Sequence, residues 1–172
     1  MNRFLPISLL LLAAPAFAGG WEGEGAVGIA SSNAPMTAMA VSARAGYSFA
    51  HGALSARLLG VAGGDFSGWM AAGEARVHTG DALGAVRLHL ALAVGLGREI
   101  AASGNRFPDG DPGGVESTRT GPALLAAAGG AVRLEDFTVT IEAAAFCWAG
   151  PIIGNSVNGG LGGALLFGIG TR

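Results

Sequence analysis

Lysine is missing from this chain, and cysteine nearly so. Every basic residue is an arginine, charged residues make up only 13% of the sequence, and Cys147 is the single cysteine. One thiol cannot pair within its own chain, so stability has to arise without a disulfide. A soluble domain normally carries about a quarter charged residues to cover its surface. A deficit of that size implies that much of the exterior does not face water. Without Arg3, nine arginines remain against 12 acids, a net charge of −3, and nothing in that balance suggests nucleic acid as a partner. Long apolar runs are also missing beyond the first residues. The alanine-rich stretches Gly121 to Val132 and Ala143 to Ile153 fall short of the roughly 20 residues a spanning helix needs.

What is present begins with an export signal. Asn2 and Arg3 form a short positive region, Leu5 to Pro15 an apolar stretch, and Ala16-Phe17-Ala18 a small-residue cleavage site before Gly19-Gly20. That three-part layout is a secretory signal peptide. The expected organisation is a signal over 1–18, cleaved near Ala18, and one domain over 19–172.

The mature part is rich in glycine, with 31 in the chain, and its dominant signal is a period of two. From Val86 to Gly97 every even position is a large aliphatic residue, while the odd positions carry Arg87, His89, Ala91, Ala93, Gly95 and Gly97. A helix would scatter those residues around its axis, whereas a strand sorts them onto two faces. The alternation recurs at Trp21–Ile29, Met39–Phe49, Leu54–Leu58, Ala71–Val77, Pro122–Leu134, Phe137–Ile141 and Leu161–Ile169. Eight candidate strands result. Short links fall after the second, fourth and sixth, at Ala50-His51-Gly52, Thr79-Gly80-Asp81 and Glu135-Asp136. Longer ones follow the odd-numbered strands, the longest from Ala101 to Thr120. An even strand count with that asymmetry of connections predicts an all-β fold, an eight-stranded antiparallel transmembrane β-barrel. Closure leaves no unpaired backbone in lipid.

A cleaved signal, eight alternating strands and an inner face with Glu22, Glu24, Arg44, Glu74, Arg76, Arg87, Arg133 and Glu142 resemble the small OmpA/OmpX-like outer-membrane barrels. The resemblance implies a salt-bridged plug of inward acids and arginines, and the outer membrane of a Gram-negative bacterium as the location. It is one of pattern across the mature chain rather than of a specific motif. One departure is that the last aromatic residue, Phe167, stands five residues before the C-terminal Arg172, where such barrels commonly end in an aromatic. Arg57, His78 and His89 share the inward phase and complete the expected polar network. Charges in so narrow a lumen must pair. A thin polar pore is the rival reading, helped by the small inward residues Ala91, Ala93, Gly95 and Gly97.

No cofactor is expected. Gly23-Glu24-Gly25-Ala26-Val27-Gly28 matches a dinucleotide fingerprint by letters but lacks the βαβ context that gives it meaning. Asp109, Asp111 and Glu116 place carboxylates on the long loop without the ligand spacing of a calcium loop. A lipid-modifying hydrolase is the enzymatic rival. His51, His78 and His89 each lack the His-x-Ser pattern of lipid A deacylases, and Cys147 falls on the outward phase. The expected partners are the bilayer with its lipopolysaccharide, the outer-membrane assembly machinery, and an extracellular partner reached through the 101–120 loop.

Overall fold

The computed structural model describes residues 19–32, 37–63, 66–79, 85–101, 117–148 and 160–171. The expected signal over 1–18 and the loop carboxylates Asp109, Asp111 and Glu116 lie outside the described residues. Eight strands run in chain order: β1 Gly20–Ser32, β2 Thr37–Ser48, β3 Gly52–Gly63, β4 Phe66–His78, β5 Val86–Ala101, β6 Ser117–Leu134, β7 Phe137–Trp148 and β8 Gly160–Thr171. Each pairs antiparallel with its neighbours in sequence, and β8 pairs with β1, so the sheet is a closed barrel.

The register fixes the shape. One ladder row leads from Trp21 through Tyr47, Leu54, Ala75, Leu92, Ala126, Ala145 and Gly163 back to β1 at Ser31, ten residues above its start. A stagger of that size over eight strands tilts them by roughly 40° from the axis, the usual range for such barrels.

Two-residue alternation decides which side chains face out. Along β5, Leu90 and Leu92 are 62% and 67% exposed, whereas Arg87 and His89 are buried. Large apolar side chains are exposed on all eight strands, among them Ile29, Val41, Leu58, Val77, Leu96, Leu124, Ile141 and Phe167. A water-soluble protein rarely leaves more than a few hundred Å² of contiguous apolar surface open. Here the apolar band encircles the molecule, as a lipid-facing surface must. Near the end that carries the short turns, Trp21, Tyr47 and Phe49 stack edge to face, with centroids 5.9 and 5.4 Å apart. Aromatic residues of this kind sit at the membrane interface.

The strands outrun their sequence signal in several places. The expected loop over 101–120 is shorter than its composition suggested. Ala101 closes β5 and Ser117 to Thr120 open β6, paired as Arg98↔Thr120, Glu99↔Arg119, Ile100↔Thr118 and Ala101↔Ser117. Serine and threonine hid the strand because they break the apolar alternation, yet threonine fits an extended backbone well. β3 likewise runs on to Gly63 and β7 to Trp148. The expected asymmetry of connections holds only in part: Gly63 and Phe66 pair across a link of two residues, as short as the Glu135-Asp136 turn, whereas seven residues separate β4 from β5 because β5 begins only at Val86. Glu135 in the β6–β7 turn adopts a positive φ of 51°.

Candidate functional site

The lumen is the site. Its walls are the inward-facing halves of the eight strands, and it divides into two layers along the axis.

The layer toward the short turns is polar. Arg57 on β3 bridges two carboxylates, with Nη1 donating to Glu74 Oε2 at 2.8 Å and Nη2 donating to Glu142 Oε1 at 2.5 Å. Glu142 stands on β7, across the lumen from β3, so this arginine ties opposite walls together. Arg44 on β2 donates to Glu142 Oε2 at 2.9 Å and to Glu24 Oε2 at 2.5 Å. Arg76 pairs with Glu22 at 3.0 Å and with Glu74 at 3.3 Å, and Ser55 Oγ donates to Glu74 Oε1 at 3.3 Å. His89 Nε2 lies 3.1 Å from Glu142 Oε2. Glu74 and Glu142 are thus the hubs of one network that crosses the barrel. Its acids Glu22, Glu24, Glu74 and Glu142 are matched in number by the inward arginines 44, 57, 76 and 87. Such matching is what burial demands, because an isolated charge in a narrow interior is very costly. A small cavity of about 30 Å³, lined by Glu22, Glu24, Arg44, Arg76 and Arg87, opens at this end. It has room for only a very few waters.

Two further expected members lie toward the strand ends. Arg133 lies at the rim, half-buried, and its Nε donates to the backbone carbonyl of Glu135 at 3.4 Å. His78 is inward in phase and half-buried, at the ladder position facing His89.

The reach of His89 depends on a missing side chain. One ladder row reads His89, Gly129, Glu142, so the imidazole must cross β6 to meet the carboxylate. A Cβ at Gly129 would stand 2.7 Å from the His89 ring. We expect Gly129→Ala to break the His89–Glu142 contact and lower the barrel's unfolding midpoint in urea. An unchanged midpoint would contradict that geometry.

The layer toward the long connections is apolar, and sequence reasoning missed it. Leu59, Val61, Met70, Leu125, Phe146 and Leu166 are each no more than 3% exposed, packed among Ala38, Ala40, Ala93 and Ala123. The Phe146 ring fills the space above Gly162, where a Cβ would meet ring carbons at 2.4 Å. A signal for this layer was present in the doubled apolar pairs Leu58-Leu59, Trp69-Met70, Leu124-Leu125 and Leu165-Leu166. Each pair puts one apolar residue outward and the next inward, so that the alternation is lost where the interior is dry.

His89 is held by Glu142, Ser55 by Glu74, and Cys147 sits on the outward phase of β7, on the far side of the wall from both. Among the described residues no cluster of acids, histidines and cysteine is arranged to hold a metal ion.

Comparison of the sequence with known protein families and with curated proteins gives no match. Comparison with solved structures does. Neisserial surface protein A matches with a TM-score of 0.62 at 16% identity, over 90% of this chain and 99% of that one. The N-terminal β-barrel domain of Pseudomonas aeruginosa OprF matches with a TM-score of 0.57 at 15% identity, over 87% and 96%. Ail, the attachment invasion locus protein of Yersinia pestis, solved with the heparin analogue sucrose octasulfate, matches with a TM-score of 0.54 at 12% identity, over 89% and 96%. At these identities the likeness is one of fold. The chain has the fold of the small eight-stranded outer-membrane β-barrels.

Proposed function

We propose that this chain is a non-enzymatic outer-membrane protein that acts as a rigid membrane anchor for its cell-surface loops. In this reading the segment 1–18 is removed on export and the barrel crosses the outer membrane of a Gram-negative bacterium. The short turns lie in the periplasm and the long connections outside. The observation that carries the reading is the two-layer lumen. A polar network closes one half and an apolar layer the other, so water and ions meet two barriers in series. A narrow channel needs a continuous wetted path, and Leu59, Met70, Leu125 and Phe146 occupy it. The resemblance in fold to Neisserial surface protein A supports a role at the cell surface. Binding then falls to the loops, as is usual where a stiff scaffold presents exposed segments.

Planar-bilayer recording tests the sealed lumen. The refolded barrel is expected to give no steady single-channel conductance, while Met70→Gly combined with Phe146→Ala thins the apolar layer without opening the polar one. Reproducible steps from the unaltered protein would overturn the reading.

Topology has its own test. Trypsin added to intact cells is expected to cut at Arg106, within the segment between β5 and β6. Arg119 also lies near that segment, but its backbone belongs to the β5–β6 ladder and should resist cleavage. Two membrane-associated fragments are the expected product. Cleavage only after lysis would place this end of the barrel in the periplasm.

A further inference from the structure

Arg98 interrupts an otherwise uncharged lipid-facing surface. The outward positions of β5 read Val86, Leu88, Leu90, Leu92, Val94, Leu96 and then Arg98. On the outward phase of the other strands the described residues are apolar, small, or bear a hydroxyl or thiol. Arg98 is therefore the single charged residue of that surface among the described residues. It is exposed, and unlike Arg44, Arg57 and Arg76 it forms no ion pair with a described carboxylate.

Its surroundings fix its depth. The facing ladder positions are Trp69 on β4 and Thr120 on β6. Trp69 is 46% exposed, and Ser31, Thr37 and Ser67 close the outward stripes of β1, β2 and β4 at the same end. Apolar residues give way to hydroxyls there, and a half-exposed tryptophan marks the headgroup level. A guanidinium at that level faces the anionic part of the membrane. Its planar fork matches the oxygens of a phosphate in paired hydrogen bonds.

We propose that Arg98, with Trp69 and Thr120 beside it, is a binding site for the phosphate of a membrane lipid in the leaflet nearest the long connections. The site rests on the outer-membrane reading above. It would fix the barrel's depth and rotation by holding one headgroup against β4, β5 and β6, while Leu96 and Val94 below take the acyl chain.

Native mass spectrometry of the refolded chain tests this, with phosphatidic acid and diacylglycerol of identical chains offered in the same micelles. The unheated gel mobility of each protein is read first. An unaltered protein that fails to insert into lipid would overturn the membrane reading, and this site with it. For inserted protein, phosphatidic acid adducts should exceed diacylglycerol adducts. Arg98→Gln should lower phosphatidic acid binding about fivefold, the scale of one arginine's attraction to an anionic surface. Diacylglycerol binding should stay as it was, and Arg98→Lys should recover part of the loss. Equal retention of phosphatidic acid by Arg98→Gln would mean that Arg98 only reaches for water, and would overturn the site. Full competition by millimolar inorganic phosphate would make it a site for the free ion, and would equally overturn a lipid site.

Discussion

Glu142→Ala should destabilise the barrel by about 3–5 kcal/mol, the scale set when one member of a buried ion pair is removed. The carboxylate is 3% exposed and accepts hydrogen bonds from Arg44 and Arg57, with His89 at 3.1 Å. Removing it leaves two guanidiniums in the lumen with only Glu24 and Glu74 to share. Urea unfolding of the protein refolded in vesicles measures the effect. Replacing both partners, as Arg57→Met with Glu142→Leu, should return much of the loss, because apolar groups of similar volume carry no desolvation cost. A loss below about 1 kcal/mol for the single change would match an exposed pair instead, and would contradict the buried network.

Leu92→Arg should cost about 2–4 kcal/mol in the same assay, the range for an arginine on the lipid face near the bilayer midplane. Leu92 is 67% exposed and lies midway along the uncharged stripe that runs from Val86 to Leu96. In water the same change would be close to neutral, since surface substitutions away from special features fall within about 0.5 kcal/mol. The sign of the result therefore reports what solvent touches this face. Full tolerance of arginine there would mean that β5 does not meet lipid.

Much of this architecture is legible in the sequence because strand period and barrel closure are simple constraints. The alternation from Val86 to Gly97 sets β5 with its facing, and the arginines and glutamates on the inward phase foretell a polar interior. Less visible was what each charge would reach. Period two says that Arg57, Glu74 and Glu142 point inward, but only the stagger of the closed sheet brings β3 and β7 to one level, so that Arg57 bridges both acids. Ser55 was passed over for a related reason: a short hydroxyl gives no signal until a carboxylate lies opposite. The inward apolar layer was harder still. Where both faces are dry, Leu124-Leu125 and Leu165-Leu166 look like noise in the alternation, although they record the inward apolar layer. Polar strand ends such as Ser117 to Thr120 resemble loop by composition, and only pairing with β5 distinguishes them.

Closure of this sheet answers to the lipid around it, where an open edge would leave backbone groups unpaired. Far-ultraviolet circular dichroism of chain 19–172, diluted from urea into buffer with and without lipid vesicles, tests it most directly. A β spectrum is expected with vesicles, together with a fast-migrating band on an unheated gel, and aggregation or an unfolded spectrum without them. A soluble, monomeric β-structured protein in lipid-free buffer, or a helical spectrum in vesicles, would contradict that dependence on lipid.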